Sequence, residues 1–195
     1  MIRRAAAVAL GLAITATPAL AHPAPLGIGG FFGGLLHPLF VPAHVLAVLA
    51  LGLLIGRQAA WTRLAAIAFI LGLAAGLGVM TLGVVPLLMN ETVLSFALIA
   101  GLLVALARPV PEILGCVFAV LTGFCVALDS PPEAVTLSEA NRMLLGTGIG
   151  AALLLIATIA IAARLRPGWP HVAARVLGSW IAASAILVLA LRFVR

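Results

Sequence analysis

The sequence predicts an all-α integral membrane protein with about six transmembrane helices, the first of them broken or re-entrant near Pro38 and Pro42. Three observations carry that expectation. Hydrophobic residues make up 65% of the 195 and charged residues 8%, where a soluble domain carries about a quarter charged. So few charges cannot cover a water-facing surface, which leaves the bilayer as the solvent. The apolar residues fall in long runs with short connectors between them, and the arginines gather in alternate connectors, the pattern of a chain threaded through a membrane.

Taken in order, residues 1–21 have three parts. Arg3 and Arg4 give a charged start, residues 5–16 an apolar middle, and Pro18-Ala19-Leu20-Ala21 a small-residue cleavage site. This is the pattern of a cleaved secretory signal peptide, and cleavage after Ala21 makes His22 the mature N-terminus, outside the cytoplasm. Residues 22–195 then form a single six-helix transmembrane domain. Its first stretch is rich in Gly and Pro, from Pro23 to Gly34, and runs into an apolar segment from Pro42 to Gly56. One straight helix over this region would be about 46 Å long, too long for a hydrocarbon core of about 30 Å. A short or re-entrant piece, a break at Pro38 and Pro42, and then a full helix is expected, with Pro42 in the first turn, where its missing N–H costs nothing. Further spans are expected over 64–85, 92–107, 113–128, 143–163 and 174–191, and the longest connector over 129–142.

One set of connectors holds Arg57, Arg63, Arg108, Arg164, Arg166 and Arg175. The other holds Arg142 beside Glu91, Asp129, Glu133 and Glu139. The positive-inside rule puts the first set in the cytoplasm and the N-terminus outside, as the signal peptide requires. An even number of spans returns the C-terminus outside, where Arg192 and Arg195 run against the rule. Gly72 with Gly76, and Gly146 with Gly150, have the G-x-x-x-G spacing that lets membrane helices pack closely.

Composition also excludes. The chain has no lysine, hence no P-loop lysine and no Schiff-base lysine, and it has no H-E-x-x-H or G-x-S-x-G motif. It is not expected to be an enzyme. The net charge of +6 does not point to nucleic acid, because the arginines sit singly at the ends of apolar runs. Cys116 and Cys125 fall about 13.5 Å apart on opposite faces of one helix, which reads as two small hydrophobes rather than a disulfide.

Ionisable residues at membrane depth are costly and so are functional candidates. His37 and His44 flank Pro38-Leu39-Phe40-Val41-Pro42-Ala43. Imidazole suits nickel, zinc and copper, but an unbroken helix would hold the two rings about 10.5 Å apart, beyond the reach of one ion with bonds of about 2.0–2.1 Å. A break at the prolines would fold His37 toward His44. Two readings stay open here: metal ligands, or interfacial histidines that bond helix ends and water. Asp129, Glu91 and His22 share the outer side, and a mature N-terminal histidine chelates through amine and ring. His171 sits in a cytoplasmic connector beside Trp169 and Pro170.

The stretch from Gly29 through His37-Pro38-Leu39 to His44-Val45-Leu46-Ala47-Val48 resembles the HupE/UreJ family of hydrogenase- and urease-accessory membrane proteins, regarded as nickel permeases. The family's first-span hallmark is a histidine followed by Pro, then Asp-His after five residues. His37, Pro38 and His44 match it, and Ala43 stands where the family has its aspartate. The family's second motif, Phe-His-Gly-x-Ala-His-Gly-x-Glu, falls on Leu121 to Asp129. Gly123 and the terminal acid Asp129 fit, while Thr122 and Val126 replace both histidines and Cys125 replaces the alanine. The resemblance implies secondary transport of a divalent metal, nickel first, across the bacterial inner membrane, with His37, His44, Asp129 and His22 as the metal residues and no resident cofactor. The alternative is a non-transporting accessory protein that binds metal weakly or scaffolds hydrogenase or urease maturation. The partners implied are the bilayer and the ion, with self-association or maturation proteins as further ones.

Overall fold

The computed structural model describes residues 30–58, 60–83, 87–132, 136–165 and 167–193. The expected signal peptide and His22 lie outside the described residues. Seven helices and no strands form the described part: α1 (Gly30–Phe40), α2 (Pro42–Gly56), α3 (Thr62–Thr81), α4 (Met89–Leu106), α5 (Glu112–Leu128), α6 (Leu137–Ala163) and α7 (Trp169–Phe193).

The broken first span is present. α1 and α2 meet at a bend of 71°. The break is at Val41–Pro42 alone, and α1 runs through Pro38 to Phe40, so the expected break at Pro38 is corrected. The physical cause is local. A residue before proline is pushed off helical backbone, and Val41 is extended, with φ −93° and ψ 109°. Pro42 has no N–H to return, while the Val41 N–H still bonds the His37 carbonyl at 3.2 Å.

Length separates the remaining helices. α3, α4, α6 and α7 are long and apolar enough to cross a membrane, and the bent pair makes a fifth candidate span. α5 has 17 residues, about 26 Å at 1.5 Å per residue, the short end of what crosses a core of about 30 Å. α6 starts at Leu137 rather than at 143, because Thr136 caps it by accepting from the Glu139 N–H at 3.2 Å. α7 starts at Trp169 rather than at 174, with Pro170 in its first turn, where proline is tolerated. The connector expected over 129–142 is therefore helical in its second part.

α2 is the central helix, with 11 of its 15 residues buried. α7 is peripheral. It buries only Ala174, Gly178, Ile181, Ala182 and Ala185, a single stripe at helical spacing. Large apolar side chains such as Leu71, Ile113, Leu153 and Leu187 point outward at more than half exposure. Patches of that extent on a soluble protein would aggregate; against lipid they are the solvated face. Glycine sets the close approaches. A Cβ on Gly34 would strike the Met143 carbonyl, and one on Gly146 the Phe31 carbonyl, so α1 lies directly on α6. Gly72 meets Val120 and Gly123 meets Phe69 in the same way across α3 and α5. Both G-x-x-x-G pairs thus sit at helix–helix contacts, as the spacing predicts.

Candidate metal site

The break between α1 and α2 positions the site. It turns His37, near the end of α1, toward His44, in the first turn of α2, and the ring centroids lie 5.4 Å apart with planes at 61°. The bend thus closes much of the separation that a straight helix would impose. His44 is 0% exposed and among the largest fully buried side chains; His37 is half-buried.

α5 ends beside these rings. Asp129 caps its C-terminus, and His44 Nε2 lies 3.0 Å from Asp129 Oδ2. Asn90, the second residue of α4, donates from Nδ2 to the same oxygen at 3.1 Å. Three helices therefore converge on one carboxylate. With the proton of the imidazole on Nε2, shared with Asp129, the ring's lone pair is on Nδ1. That Nδ1 is buried and has no hydrogen-bond partner among the described residues. Leaving such an atom unmatched costs about 1–3 kcal/mol, which a bound cation would offset. A cavity of about 10 Å³ lies next to His37, with Ser130, Met143 and Thr147 in its wall. That is roughly the room of one water-sized particle.

The remaining donors are spent elsewhere. Thr122, where the family motif has a histidine, gives its hydroxyl to the Phe118 carbonyl at 2.8 Å, and Ser130 gives its hydroxyl to Val126. Val126 is buried and apolar. Cys125 is buried and Cys116 half-buried, both as free thiols. Among the described residues no three His, Cys, Asp or Glu side chains gather closely enough to hold an ion by themselves. His171 stands in the first turn of α7, which packs near the far end of α4. Asn90 was not singled out from sequence, although it stands beside Glu91 at the edge of an apolar run, where a polar pair opens a helix.

The two ends of the bundle differ in charge. At one end Arg57 reaches the Val104 carbonyl and Arg175 the Ala105 carbonyl. At the other, Arg192 pairs with Glu91 at 2.8 Å, which supplies a local partner for the arginine that runs against the positive-inside pattern.

An all-helical bundle with apolar faces turned outward and buried polar groups at one end is a multi-pass membrane protein. The chain belongs to the HupE/UreJ family: the family model described as HupE / UreJ protein matches residues 10–188, nearly the whole chain. That family consists of metal-ion transport and accessory proteins rather than enzymes. No curated protein and no solved structure matches the chain.

Proposed function

We propose that this protein carries a divalent metal ion, nickel first, across the bacterial inner membrane by secondary transport. The observation that supports it most is His44: fully buried, bonded to Asp129 through Nε2, with an Nδ1 that has no partner among the described residues, beside the His37 ring. A carboxylate that holds one imidazole nitrogen fixes the ring and raises the basicity of the other, the usual setting of a metal-binding histidine. In this reading Nδ1 of His44 meets the ion, His37 supplies a second imidazole, and Asp129 acts through His44. The mature N-terminus, with His22, is periplasmic and supplies further donors from that side. The chain has no lysine for an ATP site, so the ion's own gradient, a coupling ion or a partner provides the driving force.

A second reading rests on a specific observation. The described residues offer only a sparse ligand set, and missing ligands or missing support cost about 10–100-fold in affinity. That favours an accessory protein that binds metal weakly or scaffolds hydrogenase or urease maturation. Nickel-63 uptake separates the two readings. Cells expressing wild type should accumulate the isotope above empty vector, and His37→Ala and His44→Ala should abolish the excess at equal membrane levels. Cobalt, zinc and copper as competitors rank the metals. Wild-type uptake no higher than empty vector, for every metal, would leave the accessory reading standing.

A further inference from the structure

The end of the bundle away from His44 holds a second polar feature, which the metal reading does not use. A cavity of about 220 Å³ opens between the C-terminal ends of α2 and α4. Arg57, Gln58 and Arg108 form its polar wall, and Leu54, Leu103 and Val104 its apolar one. Arg57 and Arg108 bring two positive charges to the wall of one cavity, and no acidic side chain lines it among the described residues. A cavity with two cationic side chains and no acid in its wall favours an anion.

Helix capping does not account for both arginines. Arg57 donates to the Val104 carbonyl at 3.4 Å and Arg175 to the Ala105 carbonyl at 2.9 Å. The Arg108 backbone N–H closes on the Leu103 carbonyl at 3.2 Å. The Leu103, Val104 and Ala105 carbonyls of α4 are thus served without the Arg108 side chain. Ala107, between them, has φ +52°, a left-handed backbone that disfavours any residue with a Cβ. This strained turn carries Arg108 to the rim of the cavity.

We infer that the cavity binds the phosphate headgroup of an anionic phospholipid. A guanidinium presents five N–H donors in a planar fork that matches phosphate oxygens in pairs, and among the described residues Arg57 gives one of them, to the Val104 carbonyl. Leu103 lines the apolar wall, and Leu106, three residues on along the same helix face, is 62% exposed, a surface along which acyl chains can lie. A free phosphate ion would use the arginines and leave that wall wet. Basic pockets between helices at the cytoplasmic face take such headgroups, and this is the end of the bundle that carries the larger share of the arginines. The bound lipid ties α2 to α4, the two helices whose opposite ends carry His44 and Asn90.

The test uses full-length protein in a neutral detergent, stripped of lipid. Phosphatidylglycerol, phosphatidylethanolamine or inorganic phosphate is titrated in, and adducts are counted by native mass spectrometry. One phosphatidylglycerol adduct is expected to bind more tightly than the rest. Arg108→Gln, at an exposed position that leaves the fold intact, should weaken it about tenfold or more. Arg57→Lys, which keeps the charge and loses the fork, should weaken it as well. Arg63→Gln removes a charge at the same end, outside the cavity, and should leave that adduct unchanged. Equal retention of the two lipids, an equal effect of Arg63→Gln, or phosphate binding as tight as the lipid would overturn the assignment.

Discussion

Replacing Asp129 by alanine removes the group on which three helices converge. The carboxylate oxygen accepts from His44 at 3.0 Å and from Asn90 at 3.1 Å. A hydrogen bond to a charged group contributes about 1.5–3 kcal/mol. His44 is 0% exposed, so water does not replace the lost partner, and the ring would keep two unmatched nitrogens. The carboxylate is itself 14% exposed, so removing it relieves part of its own desolvation cost. The net loss is about 2–3 kcal/mol. For a chain of this size each kcal/mol moves the unfolding midpoint by about 2–4 °C, so a fall of roughly 4–12 °C is expected. Both bonds end on one oxygen, so Asp129→Asn keeps an acceptor for both donors, loses only the charge, and should lose about 1 kcal/mol. The assay is thermal unfolding of both variants in one detergent at one scan rate, because membrane proteins unfold irreversibly and the midpoint depends on the rate. An Asp129→Ala midpoint equal to that of wild type would refute the claim that this carboxylate holds His44.

Other residues test the same account. Asn90→Leu removes a donor to Asp129 without touching the imidazoles, and nickel binding followed by calorimetry should weaken about tenfold. Gly146→Leu should abolish folded protein in the membrane fraction, since its side chain would overlap the Phe31 carbonyl of α1; Gly78→Ala, which meets nothing within 4 Å, should express normally. Ala107→Gly relieves the left-handed backbone at the end of α4 and should raise the unfolding midpoint by about 2–4 °C per kcal/mol gained.

The class of fold was legible because so little charge leaves lipid as the only solvent. The broken first span followed from Pro42, whose effect on the preceding residue is local. Helix starts were legible in principle too: Thr136-Leu137-Ser138-Glu139 has the spacing of a capping box, and the structure uses its Thr136 side. What could not be read was which face of each helix turns inward. In a soluble protein polar residues mark the outer face, but lipid and core are both apolar, so only small residues such as Gly34, Gly146 and Gly123 betray the contacts. The centrality of α2 was hidden for that reason. The site was half legible. His37, His44 and Asp129 stood out as ionisable groups near membrane depth. Their separation depends on a 71° bend whose size no motif encodes, and Asn90 is neutral and so was passed over.

The most direct measurement places purified protein in liposomes that enclose a nickel-sensitive dye, with the ion added outside. Wild type should give influx that saturates with concentration, and His44→Ala none above empty liposomes. Equal quenching with wild type, His44→Ala and empty liposomes would contradict transport through this site.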